Sequence, residues 1–433
     1  MFAAPLAAAL ARRGVHYGWV MVALTFLIAL SSAGALGVLG ALLLPVQRET
    51  GWEISAISGA LALRLLLFGL MAPFAAALLQ RYGLRRMVAL ALTLVAAGLL
   101  LSMNMTRVWE LWLYWGAITG IGTGMTALVL GATVANRWFV ARRGLVLGML
   151  TAANATGQLA FLPLGAWLAQ NEGWRFALAP GLIACAIAAL LMVLFGRNHP
   201  SELGLPAYGE DRVAPPPAPG ANPVRTAFAV LAEAAQTRIF WILFITFMIC
   251  GLSTNGLMQT HFIPLCADFG MAEVQAASVL AMIGIFDFIG TIGSGWLSDR
   301  FDNRKLLFWY YGLRGLSLLW LPSSSFSLIG LSLFAVFYGL DWIATVPPTV
   351  KLAGSAFGRE KAPIVFGWIF TGHQLGAALA AGLGGLSRDV LASYLPAFYL
   401  AGGACLIAAV LALGARRPSD TVISPTAAAP SRG

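Results

Sequence analysis

Apolar runs long enough to cross a lipid bilayer recur along this chain, separated by short polar breaks. They fall near 17–43, 53–79, 87–104, 109–136, 144–169, 173–196, 239–266, 273–298, 306–322, 325–350, 363–385 and 391–414. A spanning helix needs about 20 mostly apolar residues, and without water its backbone groups must be satisfied within the segment. The pattern therefore predicts an all-α polytopic membrane protein with twelve transmembrane helices. Between the sixth and seventh runs, 197–238 contains ELGLPAYGEDRVAPPPAPGANP, whose prolines and glycines neither continue a helix nor build a core. The chain thus divides into a six-helix bundle at 1–196, a cytoplasmic linker at 197–238 and a second six-helix bundle at 239–417. Residues 418–433, rich in Ser, Thr, Pro and Ala, are expected to be a disordered cytoplasmic tail. The opening MFAAPLAAALARR places its basic pair after the short apolar run, unlike a cleavable signal peptide.

Composition points the same way. Hydrophobic residues make up 59% of the chain, against roughly 45–50% in soluble domains. The 27 basic and 17 acidic residues are too few to coat a water-soluble surface. With both termini cytoplasmic, the inner loops hold Arg12, Arg13, Arg81, Arg85, Arg86, Arg137, Arg142, Arg143, Arg300, Arg304, Lys305, Lys351 and Lys361, while the outer loops hold Arg48, Arg107, Arg175 and Arg388. Such asymmetry is what the positive-inside rule requires of a cell inner-membrane protein. It accounts for the net charge of +10 without nucleic acid. The cysteines at 185, 250, 266 and 405 are scattered through apolar segments with no metal-ligand spacing, so neither a metal nor another cofactor is expected.

Two charged breaks look alike: AALLQRYGLRR at 76–86 and GSGWLSDRFDNRK at 293–305. An offset of 219 residues superposes Arg81 on Arg300, Pro45 on Pro264, Gly51 on Gly270 and Gly157 on Gly376. With an even number of helices per repeat, both copies keep one orientation, so a pseudo-twofold axis along the membrane normal is expected.

The stretch GWLSDRFDNRK at 295–305 resembles the G-x-x-x-D-R-x-x-x-R-K loop signature of the major facilitator superfamily. The stretches YGWVMVALTFLIALSSAGALG (17–37), GWEISAISGALAL (51–63) and NRWFVARRGLVLGM (136–149) are similar to its bacterial monocarboxylate and oxalate–formate branch. The resemblance implies the fold of that superfamily and secondary transport by alternating access, with a monomer as the functional unit. It also implies a cytoplasmic latch of acid–base pairs at Gly295, Asp299, Arg300, Arg304 and Lys305. The matching first-half loop, with Arg81 and Arg85, has Ala76 for the glycine and Gln80 for the acid, which weakens that half of the latch. The animal monocarboxylate carriers carry an Asp-x-x-x-Arg pair on helix 8. Asp287 matches its acid, but Thr291 replaces its arginine.

Ionisable residues inside spanning helices are costly and should face the protein interior with a partner. At 1.5 Å rise per residue, Asp287, Arg314, Asp341 and His373 all lie roughly 14–16 Å deep, near the midplane. Arg314 could lock helices 8–10 by neutralising Asp287 or Asp341. With two acids and one arginine, one carboxylate is left for proton coupling. His373 aligns with Asn154 in the repeat, and both are candidates to line a central cavity, although a packed core histidine is the plainer reading. Arg64, the lone base within the first-half helices, has no acid within helical reach. It is either an anion anchor or a residue that snorkels to the headgroups. Small residues such as Gly34, Gly37, Gly122, Gly124 and Gly376 permit close helix approach and favour a small ligand.

No phosphate-binding loop of the G-x-x-x-x-G-K-[ST] type appears, and the histidines at 16, 199, 261 and 373 offer no catalytic cluster. A pump and an enzyme are therefore both disfavoured. The expected function is proton-linked transport of a small organic anion, with Arg64, Asn154 and His373 facing the substrate. The alternative is an exporter of larger amphipathic compounds. Cysteines introduced at 302 and 388 should react with a membrane-impermeant thiol reagent from opposite sides of the membrane. Labelling of both from one side would refute the topology.

Overall fold

The computed structural model describes residues 2–126, 128–215 and 222–415; the tail at 418–433 lies outside it, as does the side chain of Asn154. Among the described residues the chain is helical, with one isolated bridge between Phe139 and Tyr208. Twelve spans are built as α1 (Gly18–Ala41), α2 (Ile54–Tyr82), α3 (Leu84–Ser102), α4 (in pieces from Val108–Leu111 to Leu128–Trp138), α5 (Arg143–Asn171) and α6 (Trp174–Phe195), then α7 (Arg238–Asp268), α8 (Glu273–Ser298), α9 (Asn303–Trp320), α10 (Leu328–Asp341, resuming at Val346), α11 (Ile364–Leu391) and α12 (Leu395–Leu413). Among the described residues, nine helices are long and apolar enough to cross a membrane. The outward surface is apolar, with Ile292, Leu316, Phe337, Leu400 and Val410 more than half exposed. A fold that presents such side chains all round is solvated by lipid.

The 219-residue offset carries into the backbone. It takes the first residue of α2 to that of α8 and the first residue of α3 to that of α9. It also maps Gly51 (φ 68°) onto Gly270 (φ 83°), and Gly173 (φ 91°) onto Ala392 (φ 53°). All four turn through the left-handed region between consecutive spans, a conformation that glycine adopts without steric cost. Ala392 adopts it as a non-glycine residue.

Local chemistry starts several helices. Asp302 Oδ1 accepts the Arg304 N–H at 2.9 Å and caps α9. Ser327 Oγ accepts the Gly330 N–H at 3.1 Å and caps α10. Each satisfies one of the orphan donors of a first turn.

The halves meet where α1 faces α7, α2 lies along α11 and α5 packs on α8. Gly40 on α1 sits so close to the Gln259 carbonyl on α7 that a Cβ there would collide with it. The glycines singled out in the sequence serve helix packing: Gly34 lies under Phe161, Gly124 against the α2 backbone at Phe68, and Gly376 against Met248.

Besides the Thr371 hydroxyl, which donates to the Gly69 carbonyl within the α2–α11 seam at 3.1 Å, polar contacts between halves lie on the face opposite the charged loops. Arg48 pairs with Glu273 at 2.6 Å, and Asp389 Oδ2 accepts the Ser55 N–H at 2.8 Å. The basic face, which carries residues 80–86 and 299–305, shows no ion pair between the two bundles among the described residues.

Two elements differ from the sequence expectation. The linker is not featureless. Its first part packs on the N-terminal bundle, where the His16 ring bonds the Pro206 carbonyl at 3.0 Å and Tyr208 meets Trp19 and Phe139. Its second part forms a helix, Pro223–Ala234, because Pro223 occupies a first-turn position that needs no N–H, and Asn222 caps it at Val224. Trp368 Nε1 donates to the Ala227 carbonyl at 3.0 Å, tying this helix to α11. The second difference is a break in α10 at 342–345, which the candidate site is built around.

Candidate functional site

The break is followed directly by Pro347 and Pro348 in the first turn of the resumed helix. Proline has no N–H, so Pro348 cannot bond the Ala344 carbonyl in helical register. Ser294 Oγ on α8 donates to that carbonyl instead, at 2.5 Å. Arg314 on α9 bonds two neighbouring carbonyls: its Nη2 donates to Asp341 O (2.5 Å) and Trp342 O (3.0 Å). On the same guanidinium, Nε donates to Asp341 Oδ2 at 2.8 Å and Nη1 to the Cys250 sulfur on α7 at 2.8 Å. Asp287 on α8 accepts the Ile343 N–H at 2.9 Å and the Thr291 hydroxyl at 3.0 Å, both on Oδ1. Four helices are thereby joined at one irregular turn, and every one of these charged groups is buried.

The structure thus pairs Arg314 with Asp341 and leaves Asp287 without an ion pair among the described residues. Thr291, which stands where the animal carriers' pattern has arginine, is a hydrogen-bond donor to the same carboxylate.

Arg64 lies elsewhere. It is 3% exposed, so it does not snorkel to the surface. Its Nη1 donates to the Leu36 carbonyl of α1 at 3.1 Å, while Nε is buried with no partner. Next along α2, Leu65 packs on Ala377 and Ala381 of α11. A buried guanidinium short of acceptors is costly. Gln374 shares the predicament on α11. It lies against Gly69 of α2 and is fully buried, with both its amide oxygen and nitrogen unpartnered. Gln374 sits beside His373 in TGHQLG, but an amide carries no charge to mark it in the sequence. His373 is packed by aromatic rings, 4.8 Å from Phe247 and 5.6 Å from Phe370 between centroids, and its Nδ1 is buried without a partner. The described contacts do not bring Arg64 and His373 together.

In the second-half charged loop, Asp299 pairs with Lys351 at the basic-face end of α10. This hydrogen bond holds the Asp299 carboxyl below its usual range. Arg300 stacks 4.1 Å over the Trp296 ring, and Arg304 pairs with Asp302 at 2.8 Å. Lys305 is exposed, and Gly295 faces open space. In the first-half loop, Arg81 lies over the Tyr82 ring and the Arg85 N–H donates to Asn198 Oδ1 at 3.0 Å.

Comparison with known proteins finds similarity to membrane transporters along the chain. A family model described as Major Facilitator Superfamily matches residues 21–381 and 267–432. The chain is 25% identical over 385 residues to the uncharacterized MFS-type transporter YcxA of Bacillus subtilis (strain 168), covering 87% of this chain and 90% of that protein. It is 26% identical over 421 residues to monocarboxylate transporter 13 of Rattus norvegicus, covering 94% and 93%. A crystal structure of a D-xylose–proton symporter shares the fold with a TM-score of 0.70 at 13% identity, covering 92% of this chain and 97% of that one.

Replacing Arg314 by Met strands a buried carboxylate and two backbone carbonyls, so it should cost about 3–5 kcal/mol of stability. A large fall in melting temperature of the purified protein would report it, and Asp341→Asn in the same chain should restore part of the loss. Wild-type melting of Arg314→Met would refute the bracing role.

Proposed function

The chain belongs to the major facilitator superfamily, and from that premise we propose that it moves a small organic anion across the cell inner membrane by proton-linked alternating access. The observation that carries this reading is Arg64: a buried guanidinium with a vacant donor and no ion pair among the described residues. Guanidinium stays charged when buried and offers a planar fork that fits a carboxylate. Arg314 is spent on Asp341 and the α10 break, so Arg64 is the base left for a ligand, with the unpartnered Gln374 amide as a second donor. A monocarboxylate is the preferred class, in keeping with the name of the rat relative. Asn154 and His373 complete the proposed lining.

Coupling is assigned to Asp287. It is the acid without a cation, and it holds the Ile343 N–H of the broken helix. A proton on this carboxyl changes its grip on α10, which gives protonation a mechanical consequence. The Arg314–Asp341 pair serves as the rigid member of the network.

The bundles at 1–196 and 239–417 are taken to rock about the α2–α11 and α5–α8 seams. The contacts Arg48–Glu273 and Ser55–Asp389 support a state closed on the outer side. The basic face is then cytoplasmic, with both termini and the 197–238 linker. There Asp299–Lys351, together with Gly295, Arg300, Arg304 and Lys305, forms the gate of the C-terminal bundle, and Arg81 and Arg85 are its first-half counterparts.

Asp287→Asn keeps an acceptor for Ile343 and Thr291, so it should fold normally. It should lose pH-driven accumulation of a monocarboxylate in proteoliposomes while retaining counterflow exchange, which needs no net proton release. Accumulation at the wild-type level would remove Asp287 from the coupling role.

Arg64→Ala should reduce carboxylate transport by at least about 30-fold, the size expected for losing one buried charged contact, and Arg64→Lys should fall between that and wild type. Normal carboxylate uptake by Arg64→Ala, at equal membrane expression, would overturn the anion site and favour export of larger amphipathic compounds.

A further inference from the structure

On the basic face the α2–α3 loop meets the end of α4 and the segment that follows α6. Together they wall a cleft of about 790 Å³, lined among others by Arg81, Arg85, Arg86, Arg137, Asn198 and His199. Glu202 is the one carboxylate among its lining residues, and Asn198 already occupies both of its oxygens, through Nδ2 at 2.7 Å and the backbone N–H at 3.3 Å. None of the four arginines has an ion-pair partner among the described residues. The repeat explains the surplus. Gln80 and Gly83 stand in the first half where Asp299 and Asp302 stand in the second. There Asp302 pairs with Arg304, the repeat counterpart of Arg85, while Asp299 pairs with Lys351. Without those acids the first-half cleft keeps its positive charge. His199 reports the same field: burial, and then the Arg137 charge, push its imidazole below the usual value.

The cleft is also open to the lipid-facing side. Val193 of α6 is one of its walls. Val193, Leu190, Ile187 and Ile183 are each 42% or more exposed and recur at helical spacing along one face, so an apolar stripe leads from the arginines into the membrane. Exposed Tyr82, also at the mouth, is a side chain suited to the headgroup level.

We propose that this cleft binds the phosphate of an anionic phospholipid headgroup, with the acyl chains laid on the α6 stripe. Arg85 and Arg137 are half-buried and positioned by Asn198, whose Oδ1 accepts the Arg85 N–H at 3.0 Å and whose carbonyl accepts Arg137 Nη1 at 3.3 Å. Arg81 and Arg86 are exposed at the rim. Guanidinium forks suit a phosphate oxyanion, and the low-dielectric interface strengthens each contact.

The test uses the full chain in nanodiscs and in neutral detergent, with phosphatidylglycerol as probe and phosphatidylcholine as the uncharged comparison. Native mass spectrometry should find phosphatidylglycerol retained on the wild type, and its melting temperature should rise. Arg81→Gln with Arg86→Gln removes two exposed charges without opening the core. It should weaken phosphatidylglycerol binding on the order of 10- to 30-fold. Arg212→Gln with Arg225→Gln removes the same charge from the exposed linker and should leave that affinity intact. Equal losses in both double variants, or none in the first, would overturn the site. Protection by inorganic phosphate equal to that by the lipid would overturn the lipid assignment in favour of a free anion.

Discussion

In hydrocarbon, an unwound stretch of backbone has no water to bond, so a spanning helix can break only where side chains take over its orphaned groups. The α10 break at 342–345 meets that condition through Arg314, Asp287 and Ser294. The order of cause matters. Pro347 and Pro348 deprive the Ile343 and Ala344 carbonyls of helical donors, and Ser294 takes the second. The Val346 N–H turns to the first and so leaves the Trp342 carbonyl, which Arg314 bonds with the help of its counter-charge Asp341. Charged residues that would be prohibitive on an isolated helix are therefore joined in one network, in which the Asp341 Oδ1 oxygen is left without a partner.

That unit makes the two bundles chemically unequal despite their shared backbone. In the C-terminal bundle the buried arginine is consumed by structure, bonded to one carboxylate, two carbonyls and a thiol. In the N-terminal bundle Arg64 holds a single carbonyl and keeps a vacant donor. A repeat that diverges in this way can assign rigidity and ion coupling to one half and ligand charge recognition to the other. The charged loops diverge likewise: the second-half copy balances Asp299 with Lys351, and the arginines of the first-half copy form no ion pair among the described residues.

The division of labour was partly legible in the residues. The midplane depth shared by Asp287, Arg314 and Asp341 follows from counting 1.5 Å per residue, and it drew attention to the three groups that meet at the break. Which acid Arg314 would take was open, because depth along a helix says nothing of rotation about its axis. The VPPT stretch at 346–349 carried the signal for the break itself, since adjacent prolines interrupt any helical ladder. Gln374 gave no such signal. Its buried amide matters only because Gly69 lets α2 come close enough to exclude water from it.

The sequence by itself determined the solvent, the twelve spans, the repeat and the set of charges that must find partners in the interior. Those properties depend on composition and on distance along the chain, which a linear string records. Tertiary structure alone decided that Asp341 rather than Asp287 receives Arg314, that Arg64 turns inward with a donor to spare, and that His373 is packed into aromatic rings. Each of these depends on which helix faces stand opposite one another, and that is settled by packing between segments tens to hundreds of residues apart.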